Sequence, residues 1–350
     1  MPLSTSSSRA RGRLARLPVI LAAVFCAFVL AESGIWNNAW WLTFLARYAG
    51  HDSDMDPAWV TASVRLLPRD NPDPPIVLLG SSQVREGLDA GSLEASLGGR
   101  RCLNLGLSGG SPTDMLAVLA DLDARAPRRS LVIGLSPQMF DREPKSPFVR
   151  FRDMPMIART CPWGDGKAPD MARMLVAASF CNLSPTLRHK DSIVELIDNL
   201  EGRLPEALAF RLPPFERFKS MNEHFLSEEA FMRRVVELKA DEIGEEREWM
   251  GVQGAAFLRL LRAESGRGNP VLLFDFPMRL GSDGIFHGPL ESFYWDFLKE
   301  GDGIPGVAVA EPGAFAGLDV RFFADVSHMN ASGRRAMTLR LSELLNRQGL

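Results

Sequence analysis

Five short apolar runs punctuate the chain: IVLLG (76–80), RCLNLGL (101–107), SLVIGLS (130–136), PVLLFDF (270–276) and GVAVAE (306–311). They are continuous rather than alternating and are bounded by glycine or proline, the pattern of strands buried on both faces. Helical patterns separate them. DAGSLEASL (89–97) comes after the first run, TDMLAVLADLDARA (113–126) after the second and PLESFYWDFLKE (289–300) after the fourth. The segment ASGRRAMTLRLSELLNR (331–347) puts Met337, Leu341, Leu344 and Leu345 on one side, as an amphipathic helix does. This alternation predicts an α/β domain over 76–350, a three-layer, doubly wound sheet of about five parallel strands.

The third and fourth runs are far apart. Residues 140–265 between them carry Met, Phe, Arg and Glu at helical spacing, as in EEAFMRRVVELKADEIGEEREWMGVQGAAFLRLLRAE, and predict a helical insertion covering one side of a site. Residues 37–75 read as a linker, because GHDSDMDPAWVTASVRLLPRDNPDPP is polar and ends among prolines.

The start of the chain has a different pattern. Arg9, Arg11, Arg13 and Arg16 stand in a tail (1–16) without acids, followed by LPVILAAVFCAFVLAESGIW (17–36). Pro18–Ala31 is an unbroken apolar run of 14, the length of a signal-peptide core, and cleavage after Ala31 is one reading. The other is an uncleaved anchor: continued to Trp36 the segment has 20 residues and spans a bilayer. Trp36, Trp40 and Trp41 then fall where an interfacial aromatic belt belongs, and the arginines stay in the cytoplasm. Both readings export the body. The expected location is the cell membrane, single-pass, with the domain extracytoplasmic and the lipid bilayer a partner.

Composition narrows the function. The 350 residues are 46% hydrophobic and 24% charged, the profile of an ordinary globular protein. The net charge is −3, and the chain beyond the arginine tail is more acidic still, which excludes an electrostatic footprint for nucleic acid. Cys26 lies in the apolar segment, leaving Cys102, Cys161 and Cys181. Cys161 with Cys181 as a pair, or three separate thiols, are both open. No spacing suggests a metal site, and no cofactor is expected.

Three motifs carry chemistry. The first strand runs into GSSQVREGLD, where Gly80 permits a sharp turn and a serine two residues on sits at the carboxyl edge of the sheet, where α/β ligand sites lie. The second ends in NLGLSGGSPTD, whose glycines at 106, 109 and 110 let backbone N–H groups approach an ester oxygen. The third, FFADVSHMNASG, places Asp325 and His328 three apart before the last helix. Asp325 can hold the Nδ1 proton of His328 so that Nε2 accepts a serine proton.

In these motifs the chain resembles the SGNH (GDSL-type) hydrolase superfamily, over roughly residues 76–140 and 268–348. Gly80-Ser81-Ser82 matches the Gly-Asp-Ser block, which implies a flavodoxin-like sheet and Ser82 as nucleophile. NLGLSGG matches the second block, which implies Gly109 as an oxyanion donor with the Ser82 N–H. Asp325 and His328 match the terminal Asp-x-x-His. The third block departs: Ser136 in GLSPQMFD stands where the family has an oxyanion asparagine, leaving Ser136 or Gln138 as possible aids.

Ser-Ser in place of Asp-Ser, with the anchor, is similar to the membrane-anchored D-alanyl transfer proteins and their exported relatives. Those work beside a multi-pass membrane O-acyltransferase on acyl groups of envelope polymers.

The expected function is therefore an exported serine acyltransferase or esterase acting on acyl esters of the cell envelope. The alternatives are a secreted lipase-like or carbohydrate esterase, and a non-catalytic accessory protein that keeps the fold. His287 reads as a solvated loop residue, with a place facing the site as the other reading, and Arg85 as a helix-surface residue, with contact to an anionic substrate as the other, while His51, His189 and His224 have no interpretable partner spacing.

Overall fold

The computed structural model describes residues 27–28, 30–48, 56–68, 73–145, 147–160, 168–213, 227–242, 249–279, 289–311, 314–315 and 317–350. Each of the five apolar runs contains a strand: β1 (Ile76–Gly80), β2 (Cys102–Asn104), β3 (Ser130–Leu135), β4 (Val271–Asp275) and β5 (Val307–Val309). They form one sheet in the order β2-β1-β3-β4-β5, with every pairing parallel. β2 and β5 are shorter than their apolar runs because each is an edge strand with one neighbour. Beyond Asn104 the chain becomes a loop, held by the Leu105 N–H on the Leu78 carbonyl and the Leu107 N–H on that of Gly80. The order reverses beside β1, which puts the crevice of an open parallel sheet at the carboxyl ends of β1 and β3.

Alternate strand residues feed two cores. Val77, Leu79, Leu131, Ile133, Val271 and Leu273 pack with residues of α6 (Pro112–Asp123), α13 (Met250–Gly266) and α14 (Pro289–Asp302). Ile76, Leu78, Val132, Leu272 and Phe274 pack with residues of α5 (Ala90–Ser96) and α15 (Ala331–Gln348). A fully buried side chain of this kind contributes about 1.5–3 kcal/mol. Caps fix where the helices begin. Ser111 and Asp114 form a capping box ahead of α6 with Pro112 in its first turn, and the Asn330 side chain accepts from Ser332 and Gly333 ahead of α15.

Three expectations change. The stretch 37–75 contains α2 (Ala39–Tyr48) and α3 (Asp56–Arg65), and both are packed into the body. Val60 and Val64 enter the first core, while Leu42, Phe44, Leu45 and Tyr48 form a separate cluster with Leu196, Leu200 and Ala207. Few polar-to-apolar periods fit in ten residues, so these short helices are legible only through what they pack against.

Trp36 is 1% exposed, its ring 4.3 Å from that of His189, and is a core residue rather than part of an aromatic belt. It ends α1, whose described residues are 27–28 and 30–36. Most of the apolar segment, residues 17–26, lies outside the described residues with the arginine tail. Among the described residues no helix is long and apolar enough to cross a membrane.

The insertion is also shorter than 140–265. It comprises α7 (Met154–Thr160), α8 (Ala168–Leu183), α9 (Pro185–Arg188), α10 (Lys190–Asn199), α11 (Leu204–Leu208) and α12 (Glu228–Glu242). α13 instead packs on α6 and α14 as part of a layer beside the sheet, because Ala256, Phe257, Leu260 and Leu261 all turn into the first core.

Candidate active site

Ser82 opens α4 (Ser82–Gly87), directly after the turn at the end of β1. Gly80 makes that turn with φ +156°, and there is no room for a side chain. A Cβ there would lie 2.3 Å from Val84 Cγ2 and 2.7 Å from the Gly134 carbonyl oxygen. The two serines then divide. Ser81 is buried as the N-cap of α4, its hydroxyl 3.3 Å from Gln83 Oε1. Ser82 is half-buried with Oγ 2.8 Å from His328 Nε2.

His328 Nδ1 lies 2.8 Å from Asp325 Oδ2. An ionised carboxylate only accepts, so Nδ1 carries the ring proton and Nε2 is left to accept from Ser82. Asp325 Oδ1 takes two further bonds, from the Ser327 N–H at 2.8 Å and the His328 N–H at 2.7 Å. These close the Asp-x-x-His turn and fix the carboxylate. A bridge between Phe323 and Met329 pins the ends of the loop, and the Arg279 N–H on the Val326 carbonyl (3.0 Å) pins its middle.

The electrostatics follow from this geometry. Burial of Asp325 disfavours its charge, but the hydrogen bond and charge of His328, with the two backbone N–H groups, outweigh that and hold its pKa below the ordinary value. Burial of the His328 ring lowers its pKa, yet Asp325 and then Glu86 reverse this and leave it raised.

The loop after β2 lies across the end of β1. Asn104 organises it: Nδ2 donates to the carbonyls of Val84 (2.9 Å), Leu88 (2.8 Å) and Arg85 (3.2 Å), and Oδ1 accepts from the Gly106 N–H at 3.0 Å. One side chain thus ties α4 to the glycine loop. Asp56, at the start of α3, does the same from outside, accepting from the Ser108 N–H at 2.5 Å and facing Arg85 Nη1 at 3.4 Å. Gly109 follows with φ +55°, and a Cβ there would lie 2.6 Å from Arg142 Nη1. Lys145 Nζ donates to the Ser108 carbonyl. Neither the Ser82 N–H nor the Gly109 N–H has an acceptor among the described residues.

Ser82, Asp325 and His328 are therefore brought together, from sites 246 and 3 residues apart in sequence. Ser136 is buried at the end of β3 and its Oγ has no hydrogen-bond partner among the described residues. Arg85 is neither on the helix surface nor free. It is 5% exposed and paired with Asp56 and Glu86, because α4 is enclosed on all sides.

His189 is a core residue, with burial holding its pKa well below the usual value. His51, His224 and His287 lie outside the described residues, as does Cys161. Cys102 and Cys181 are buried free thiols.

Sequence reasoning missed Asp56, Asn104, Arg142 and Lys145. Asn104 alone left a signal, an asparagine just before the glycine loop. An apolar cavity of about 550 Å³ over the ends of β4 and β5, bounded by Met278, Trp295, Leu298 and Phe315, is lined by none of the three triad residues.

No family model matches this chain, and no curated protein matches it.

Proposed function

We propose that this chain is an SGNH-type serine esterase or O-acyltransferase, built on a doubly wound, flavodoxin-like sheet. The observation that carries the reading is the unbroken line Ser82 Oγ–His328 Nε2–Asp325 Oδ2, with both links 2.8 Å. A serine hydroxyl is a weak nucleophile until a base accepts its proton, and here the base is in contact and correctly tautomerised. Ser82 Oγ attacks an acyl carbonyl carbon while its proton passes to His328 Nε2. The Ser82 and Gly109 N–H groups are the donors for the oxyanion, an interaction of about 2.7–4 kcal/mol per donor in such sites. His328 returns the proton to the departing alkoxide. The acyl-serine then passes to a second hydroxyl (transfer) or to water (hydrolysis), with His328 again taking the proton and Ser82 recovering it.

The envelope setting is part of the proposal: an anchor formed by the apolar run 18–31, with Glu32 and Trp36 already in the body, an extracytoplasmic domain, acyl esters of an envelope polymer as substrate, and a multi-pass membrane O-acyltransferase as partner. One observation favours a second reading, an accessory protein without turnover. Arg142 fills the space beside Gly109, and Ser136 replaces the asparagine donor of the resembling family.

The test is labelling of the full chain with a fluorophosphonate probe, followed by peptide mapping. The label is expected on Ser82, absent in Ser82→Ala, retained in Ser81→Ala, and slowed by about 10²–10⁴-fold in His328→Ala. Folded protein that takes no label at Ser82 sinks the enzyme reading and leaves the accessory one.

A further inference from the structure

α8 is apolar on two opposite faces. Met171, Met174, Ala178 and Cys181 recur at helical spacing and are buried. Val176, Phe180 and Leu183 stand at i, i+4 and i+7 on another face, and each is 56% exposed. Leu187 of α9 extends the exposed stripe. A helix on a protein surface presents polar residues to water, and one that is apolar all round is covered by something. Contiguous exposed apolar surface marks a contact with protein or lipid.

α1 locates this stripe relative to the start of the chain. Glu32 directly follows the apolar run Pro18–Ala31. Its Oε1 accepts from the Ser184 hydroxyl at 2.5 Å and the Thr186 N–H at 2.8 Å. One turn later Trp36 is buried, its Nε1–H donating to Thr186 Oγ1 at 3.3 Å. Ser184 is the residue after Leu183, and Thr186 the residue before Leu187. On the far side of Glu32 the chain is exposed and apolar again, at Phe28 and Leu30. The residue that follows the apolar run is therefore bonded to the turn between Leu183 and Leu187, at one end of the exposed stripe.

We propose that the exposed face of α8 and α9 rests in the headgroup boundary of the lipid bilayer, beside the point where residues 18–31 leave it. The inference rests on the reading of the apolar run 18–31 as a membrane segment, since Glu32 and Trp36 pack into the body, and does not depend on catalysis. The bilayer is the occupant that the chain itself brings to this face: 14 apolar residues end beside it, Val176, Phe180, Leu183 and Leu187 carry no charge, and the exposed Arg173 on the same side of α8 has the long stem that reaches headgroups. Apolar side chains at such a boundary sit roughly 5–10 Å deep. Two attachments, the segment and the stripe, then hold the body in one orientation on the membrane, where a single tether would let it swing.

The full chain is reconstituted in phosphatidylcholine vesicles, in a background with Cys26 and Cys161 replaced by serine. An environment-sensitive fluorophore is attached at Phe180→Cys, Leu187→Cys or Leu339→Cys. Leu339 is the control, an exposed apolar residue on α15, which packs on α4 and α5. Vesicles containing brominated lipid are expected to quench most of the emission at 180 and 187 and none at 339. Adding Phe180→Asp with Leu183→Asp is expected to abolish quenching at 187, with the protein still in the vesicle pellet and Ser82 still labelled by the probe. Pelleted protein without quenching at 180 and 187 overturns the membrane-facing stripe and leaves the anchor standing. Shielding there that appears only when host membrane proteins are present also overturns it and makes the face a protein contact. Protein that stays in the supernatant overturns the anchor and the stripe together.

Discussion

In the proposed reaction His328 is a base only when neutral, and its pKa lies above the ordinary histidine value because Asp325 and Glu86 outweigh the burial of the ring. The rate of Ser82 labelling should therefore rise with pH through a midpoint above 6.5. Asp325→Asn removes the largest opposing influence. It should move that midpoint down and slow labelling, both read from a pH–rate profile of wild type and variant. An unchanged midpoint in Asp325→Asn would mean that the carboxylate is not coupled to the base.

Asp114 shows the opposite balance. Burial pushes its carboxyl up to about 6 from 3.8, although Lys145 and the hydrogen bonds from Ser111 and the Lys145 N–H pull the other way. A folded pKa raised in this way gives stability that is fully present below pH 3.8 and lost as pH rises through about 6. The loss is on the order of 3 kcal/mol at about 1.4 kcal/mol per pKa unit. Urea unfolding between pH 4 and pH 7 should show that decline in wild type relative to Asp114→Asn.

The glycine loop and α4 are too short to hold themselves. α4 has six residues and the glycine loop has no regular structure, so their relative position depends on side chains that bridge them. Asn104 makes four such bonds. Asn104→Ala removes the donor to the Arg85 and Leu88 carbonyls, while Val84 keeps the Leu88 N–H, at about 1–3 kcal/mol for an unsatisfied group. It should lower unfolding stability and slow Ser82 labelling together. The elements that the apolar pattern predicted, β1 to β5 with α5, α6, α14 and α15, are long enough or buried enough for their periodicity to be read. α2 and α3 were hidden by length. α13 was assigned to the insertion because a helical period does not say which core it faces.

At the scale of the whole molecule, a segment that reads as a linker supports the site. Asp56 on α3 accepts from Ser108 and faces Arg85, so it braces the glycine loop from a helix outside the resembling region. Asp56→Ala should slow probe labelling by about tenfold, the equivalent of ~1.4 kcal/mol. Asp56→Asn keeps an acceptor for the Ser108 N–H and should restore part of the rate. Equal losses in both variants would assign the effect to the Arg85 pair instead. At the amino end of β3, Arg129 and Glu264 form a fully buried pair with bonds of 2.9 and 2.6 Å. A buried pair broken on one side loses about 3–5 kcal/mol. Glu264→Ala should destabilise the protein by that amount in urea, with labelling of the remaining folded protein unchanged.

The sequence by itself determined the α/β class, the five strands and the three residues that meet at the end of β1. Buried parallel strands write continuous apolar runs, and Gly80-Ser81-Ser82 and Asp325-x-x-His328 are short local patterns that can be read without the fold. The resemblance favours Ser82 over Ser81, and the tertiary structure puts Ser82 Oγ against His328 with Ser81 capping α4, because the direction of a hydroxyl depends on the turn at Gly80. The tertiary structure alone brought Asp56 and Arg142 to the glycine loop, and α4 to Asn104, contacts between residues far apart in sequence that no local period encodes. It also moved Trp36 from an expected interface into a core: apolar patterning says that a side chain must be covered, and only packing says by what.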